Sequence, residues 1–407
     1  MHSGEAKAPA LAIWALGATQ IVGYGTLYYS FAILAPAMAA ELLLPEQWVF
    51  AALSVALLLG SLLAPTAGRW ADRFGAGRVM TAGSLAAATA LAACALAPER
   101  FSFVAALVAM ELAACFVLYS TAFVAIVQIG PLNAQRSIVH LTLIAGFAST
   151  LFWPLTTALH AQLSWREVYL VFAAMNLLLC LPIHAWLLRL SRRRSALAAA
   201  RPAAVPAAGE HELSDPGRIR LAFLLMLAGF AIEGFVLSAV LVHMVPLLGA
   251  LGLGMSAAFV ATVFGPSQVA SRLINMVFGG RLRQTVLAVI SAALLTAGLA
   301  TLVTSSPWAP GAVAFVVLFG LGSGLFSIVS GTLPLELFGR EGYGARLGWM
   351  NAARQFSAAF APFALAFMLA QTSNAASLWS LVGVGAAAVA AFAMIAIVGA
   401  RSYAQSG

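Results

Sequence analysis

The sequence predicts an all-α membrane protein of 12 transmembrane helices in two six-helix bundles, with cytoplasmic termini. Three observations predict it. Of the 407 residues, 62% are hydrophobic and 8% charged, against ~45–50% and ~25% in soluble globular chains. The apolar residues come in blocks of about 20 or more, long enough to cross a ~30 Å hydrocarbon layer as helices and without the period-2 alternation of a membrane barrel. The basic residues fall mainly in alternate loops between those blocks.

The blocks lie at about 10–34, 48–67, 79–97, 102–125, 138–160 and 167–189 in the first half. In the second they lie at about 219–247, 256–279, 285–304, 310–335, 347–370 and 377–400. The first is too long for a signal-peptide core and leads directly into more spans, so it is expected to be retained. Spans 2, 9 and 12 rest on apolar length alone. Span 3 carries Cys94, span 4 Glu111, Cys115 and Tyr119, span 5 Pro154, and span 6 Cys180. The three cysteines lack CxxC spacing and read as small embedded residues. Span 7 carries Glu233 and His243, span 8 Pro266 and Arg272, span 11 Arg354 and Pro362. Span 10 contains "FGLGSGLFSIVSGTLP" (Phe319 to Pro334), whose glycines allow close packing and bending.

Lys7, Arg69, Arg73, Arg78, Arg136, the run from Arg189 to Arg220, Arg281, Arg283, Arg340, Arg346 and Arg401 share one set of loops. The other set holds only Arg100 and Arg166, with Glu41, Glu46, Glu99 and Glu167. This is the positive-inside bias, so the net charge of +8 orients the chain rather than marking a nucleic-acid partner. The polar interval 190–218 is expected to be a cytoplasmic linker between bundles at 1–189 and 219–407. The halves echo each other: Leu11 and Pro36 recur as Leu221 and Pro246, an offset of 210 (221 minus 11), and Gly68-Arg69 as Gly280-Arg281, an offset of 212 (280 minus 68).

Between spans 2 and 3, "GRWADRFGAGR" has the spacing Gly68-x-x-x-Asp72-Arg73-x-Gly75-x-x-Arg78. Gly68 and Gly75 allow close helix approach and a tight turn, and the arginines suit an anionic membrane surface. Asp72 can face a helix N-terminus or an arginine for ~0.3–2 kcal/mol. This motif resembles the loop signature of the major facilitator superfamily. The resemblance takes in the twelve blocks and the central linker, and "SWREVY" (Ser164 to Tyr169) is a second, weaker match. It implies two halves that rock about a central site, and a latch in which Asp72 holds the start of span 11, near Arg346, in one state. At the 212 offset Gln284 stands where Asp72 does and Thr285 where Arg73 does, implying a weaker second latch.

An ionisable side chain deep in a span costs about 2.5–3.5 kcal/mol to insert, so each is a functional candidate. Arg272 resembles the span-8 arginine that binds the substrate carboxylate in the monocarboxylate and oxalate–formate branch. Gly23 to Pro36 is similar to that branch's first span, and Tyr119 to a span-4 tyrosine of some members; their acidic residue one turn before the arginine is here Gln268. A guanidinium stays charged and can hold a carboxylate bidentately; the alternative is a packing pair with Glu233. Glu233, then Glu111, is the candidate proton carrier, with capping of a neighbouring helix as the equal alternative. Arg354 is expected to snorkel to the surface, and His243 to be satisfied at the interface. Gln20, Tyr24 and Tyr28 are expected to line a cavity, with Tyr29 turned away; interfacial anchoring is the alternative for Tyr28 and Tyr29.

The expected protein is a multi-pass secondary transporter of the cell inner (cytoplasmic) membrane, acting as a monomer. Its expected cargo is a small organic anion such as a monocarboxylate, moved with protons by symport or antiport. A proton-coupled drug or toxic-compound exporter is the alternative, with Glu233 recognising a cation. Dispersed histidines argue against an enzyme, and no GxxxxGK[ST] loop supports ATP as the energy source. No cofactor, metal or nucleic acid is expected.

Overall fold

The computed structural model describes residues 7–199, 215–279 and 282–403. Among them the regular elements are helical, apart from an isolated bridge between Lys7 and Pro131. In chain order they are α1 (Ala10–Glu41), α2 (Glu46–Phe74), α3 (Ala76–Leu96), α4 (Arg100–Ile129), α5 (Ala134–His160), α6 (Trp165–Arg194) and α7 (Pro216–Leu253). Then follow α8 (Phe264–Phe278), α9 (Gln284–Ser305), α10 (Ala309–Phe338), α11 (Tyr343–Gln371) and α12 (Asn374–Val398). Among the described residues, eleven of these are long and apolar enough to cross a membrane, α8 being the exception. The eighth block is divided into a five-residue helix, Ala257–Ala261, and the 15-residue α8. Pro266 lies in the first turn of α8, where its missing N–H costs nothing, so it favours a helix start there.

Packing divides the chain into two compact units, Met1–Gly209 with Gly342–Gly348, and Glu210–Glu341 with Trp349–Gly407. The linker expected at 190–218 falls largely on 200–214, outside the described residues; the helix of α6 continues to Ala199.

In lipid, burial of oily surface does little to drive helices together, so small residues and internal hydrogen bonds must do so. In the first unit Gly77 of α3 lies against Leu188 of α6, and Gly83 of α3 against Phe116 of α4. Arg166 pairs with Glu41 at 2.6 Å and donates to the Ala95 carbonyl at 2.6 Å, tying α6 to α1 and α3. Trp165 donates to the same Glu41 carboxylate, and Ser164 with Glu167 forms a capping box that starts α6. Arg194, near the far end of α6, donates to the carbonyls of Lys7 and Ile129, each at 2.7 Å.

Helices α1, α6 and α4 of this unit are interrupted, as is α5 by a turn at Gly146–Phe147. Gly25–Tyr29 in α1 and Asn176–Cys180 in α6 are π-turns. The Asn176 amide joins them, donating to Thr26 Oγ1 at 3.0 Å. The third break corrects the expectation of one continuous fourth span. Helix α4 runs Arg100–Val117 and Tyr119–Ile129, with Leu118 extended at φ −83, ψ −170. No glycine or proline causes it. Gln20 donates to the Val117 carbonyl at 2.7 Å and Thr121 Oγ1 to the Cys115 carbonyl at 3.0 Å, so side chains replace lost helical bonds.

In the second unit α8 lies along small residues of α10, with Gly320 against Ser267 and Gly324 against Ser271. Gly229 of α7 takes the ring of Phe392 from α12. The start of α9 corrects the repeat register. Glu336 accepts from the Gln284 amide at 2.7 Å, where in the first unit Gln128 accepts from the Ala76 amide at 2.9 Å. Both residue pairs are 208 apart (284 minus 76, 336 minus 128), so Gln284 answers Ala76 rather than Asp72.

Candidate functional site

In the first unit Gln20, Tyr24 and Tyr119 meet where α1 approaches the break in α4. Gln20 is fully buried; its Nε2 closes the break at Val117, and its Oε1 has no hydrogen-bond partner. Four residues further along α1, the Tyr24 ring lies 4.8 Å from that of Tyr119, the first residue beyond the break. Tyr119 in turn stacks on Phe123 at 5.2 Å. Tyr29 does not turn away as expected: its ring is 6.4 Å from Tyr24 and 6.1 Å from Trp153. A π-turn widens the repeat towards i, i+5, which swings Tyr29 to the side of Tyr24. Tyr28 is half exposed and meets Tyr29 edge-on at 5.3 Å. Glu111, 6% exposed on the first segment of α4, has one carboxylate oxygen, Oε1, buried without a hydrogen-bond partner.

The second unit holds the other ionisable groups. Arg272 on α8 is 6% exposed, and its Nε donates to Ser327 Oγ of α10 at 3.1 Å. One turn earlier Gln268 donates to Ser323 at 2.6 Å, so α8 is stitched to the small-residue face of α10. Glu233 on α7 is 2% exposed; Ser291 of α9 donates to its Oε1 at 3.1 Å, and Oε2 has no hydrogen-bond partner. Arg354 lies roughly 16 Å along α11 from Tyr343 at ~1.5 Å per residue. It packs across Gly234 of α7, where an added Cβ would meet its Cγ at 2.7 Å. Its Nη2 donates to Asn351 at 2.9 Å. The stem of this partly buried arginine thus packs on α7 while its head turns back towards the start of α11. His243 is satisfied by the Ala239 carbonyl of its own helix, 3.0 Å away.

Asp72 stands in the last turn of α2. Its two oxygens accept the amides of Gly344 and Ala345, each at 2.8 Å. Those amides belong to the first turn of α11, where N–H groups have no helical acceptor and the helix dipole favours an anion. Gly68 lets the two backbones meet, since a Cβ there would run into the Gly344 carbonyl oxygen. Gly75, at φ +88, turns the chain from α2 into α3. Arg73 and Arg78 are exposed, with the Arg73 guanidinium 5.3 Å above the Phe74 ring. A cavity of about 500 Å³ beside α2 is lined by Thr66, Arg69, Trp70, Asp72 and Arg73.

Sequence reasoning missed Gln128. It donates to the Ala71 carbonyl at 3.0 Å and accepts from the Ala76 amide at 2.9 Å, bridging the Gly75 turn. Asn176, Asn351 and Glu336 were also missed. A polar residue near the end of an apolar block was the only signal for Gln128 and Glu336.

Residues 16–362 match the family model described as Major Facilitator Superfamily. The structure of the human organic anion transporter MFSD10 (TETRAN) is similar at a TM-score of 0.72 and 14% identity, over 94% of this chain and 98% of that one. The proton:xylose symporter XylE bound to 6-bromo-6-deoxy-D-glucose is similar at 0.68 and 14% identity, over 93% and 95%. The transporter FucP in its outward conformation is similar at 0.63 and 13% identity, over 96% and 98%. Comparison with curated proteins finds no match.

Proposed function

The chain belongs to the major facilitator superfamily and is a multi-pass membrane transporter, not an enzyme, and from that premise we propose that it carries a small organic anion, such as a monocarboxylate, by proton-coupled alternating access. The observation that carries the cargo is Arg272, a buried guanidinium whose Nε donates to Ser327 Oγ. A guanidinium in a low-dielectric setting holds a carboxylate through two charge-assisted bonds. Arg354, whose hydrogen bond goes to the neutral Asn351, adds positive potential in the same unit. The organic anions named for MFSD10 agree with this cargo, though 14% identity supports the fold only.

In this reading Gln20, Tyr24, Tyr28 and Tyr119 contribute to the substrate site, and Glu233 or Glu111 carries the proton. Gly68, Asp72, Arg73, Gly75 and Arg78 form the latch. The short helix before α8 completes a twelfth crossing. Residues 1–189 and 219–407 are the two halves about a linker at 190–218, and the chain acts as a monomer in the inner membrane with both termini in the cytoplasm.

The test is uptake of radiolabelled monocarboxylates into proteoliposomes under imposed pH gradients. Arg272→Ala is expected to lower carboxylate flux about tenfold to a hundredfold, because charged hydrogen bonds contribute ~1.5–3 kcal/mol. Arg272→Lys is expected to recover part of it. Undiminished flux in the alanine variant would falsify the anion site. Flux of lipophilic cations that depends on Glu233 instead would favour the drug-exporter reading.

A further inference from the structure

The first unit joins its tyrosine cluster to the Asp72 turn through a single short helix. Because α4 is broken at Leu118, its second segment, Tyr119–Ile129, is an 11-residue helix with ends of its own. At one end Tyr119 meets Tyr24 at 4.8 Å. At the other, Gln128 holds the Ala71 carbonyl and the Ala76 amide, on either side of Gly75. Ala71 is covalently next to Asp72, whose carboxylate holds the amides of Gly344 and Ala345. In the second unit α10 is one unbroken helix, while Glu336 accepts from the amides that begin α9 much as Gln128 does from Ala76.

We propose that the Tyr119–Ile129 segment is a rigid strut that transmits the packing of the Tyr24–Tyr119 pair to the Asp72 latch, with Gln128 as the positioning residue. A helix of this length spans about 15 Å and resists compression, because every interior turn is hydrogen-bonded. Across the break the two segments of α4 are joined through side chains, Gln20 at Val117 and Thr121 at Cys115, in place of a continuous helical ladder. The bonds of Arg194 and Gln128 hold the other end to its surroundings. A shift of Tyr119 therefore arrives at the Gly75 turn as a displacement of Gln128. Hydrogen bonds weaken steeply once distance and angle leave a narrow range, so a small displacement of Ala71 loosens the paired amide contacts of Asp72. A solute that repacks the tyrosines would thereby open the latch without touching it. The inference rests on the latch reading of Asp72 and is independent of the cargo.

Hydrogen–deuterium exchange of the peptide carrying the Gly344 and Ala345 amides, with the full chain in lipid nanodiscs, tests it without a known solute. Asp72→Asn is expected to speed exchange there directly; if it does not, the latch reading itself fails. Given that response, Tyr119→Leu and Tyr24→Leu should each speed exchange at these amides about fivefold, the size of one ordinary hydrogen bond lost. Gln128→Ala should do the same, and adding Tyr119→Leu to it should produce little further change. A strut predicts that non-additivity, whereas two independent structural losses would multiply. Unchanged exchange in both tyrosine variants, or full additivity with Gln128→Ala, overturns the proposal. Tyr24 lies on a different helix from Gln128, so its variant keeps the test decisive if Tyr119→Leu folds poorly.

Discussion

Gly68 meets the backbone of Gly344, and Gly348 meets that of Ala64 and Pro65, so at this crossing no flexible side chain can give way. Adding one methyl in such a place costs about 1–3 kcal/mol. Gly68→Ala is therefore expected to speed amide exchange at Gly344 and Ala345 at least about fivefold by the same measure. Gly383→Ala, where an added Cβ meets open space, should leave exchange there unchanged. A different outcome is expected at Glu233. Glutamine keeps an acceptor for Ser291 Oγ but cannot exchange a proton. Glu233→Gln should fold normally and abolish accumulation driven by a pH gradient while sparing solute exchange at equal pH. Gradient-driven accumulation at wild-type levels would pass the proton role to Glu111.

The helices α1, α4 and α6 depart from regular α geometry, and neighbouring side chains stabilise the departures. Asn176 bridges the two π-turns through Thr26. Asn176→Leu removes that bond but leaves Thr26 its own partner, the Val22 carbonyl at 2.8 Å. Hydrogen bonds between membrane helices average about 0.6 kcal/mol, so a loss of that order is expected in reversible unfolding. A loss several times larger would mean that the π-turns collapse with it. At this scale the tyrosine face was misread for a definite reason: an i, i+4 argument assumes 3.6 residues per turn, and the π-turn at Gly25–Tyr29 breaks that period. The break at Leu118 was equally hidden, since Gln20, which closes it at Val117, lies 97 residues from that residue in sequence. By contrast the capping box of Ser164 with Glu167 is local, three residues apart, and falls within the "SWREVY" stretch that was noted only for its resemblance.

Across the whole molecule, Asp72→Asn is expected to shift the ratio of inward- to outward-accessible cysteine labels about two- to tenfold, since a helix N-terminus favours a charged partner by ~0.3–1 kcal/mol or more. An unchanged ratio would remove the latch from the mechanism. The sequence by itself determined that this chain is a bundle of membrane helices, because span length and apolar composition are local properties set by the bilayer's thickness. It also marked Gly68, Asp72 and Gly75 as a turn of special chemistry, since glycine and charge are conspicuous in an oily chain. Only the tertiary structure decided which amides Asp72 holds, where α4 breaks and which carbonyls Gln20 and Gln128 satisfy. Those choices depend on partners far apart in the chain: in a medium without water each freed backbone group must find an acceptor or donor within the protein, and packing alone determines which one is near enough.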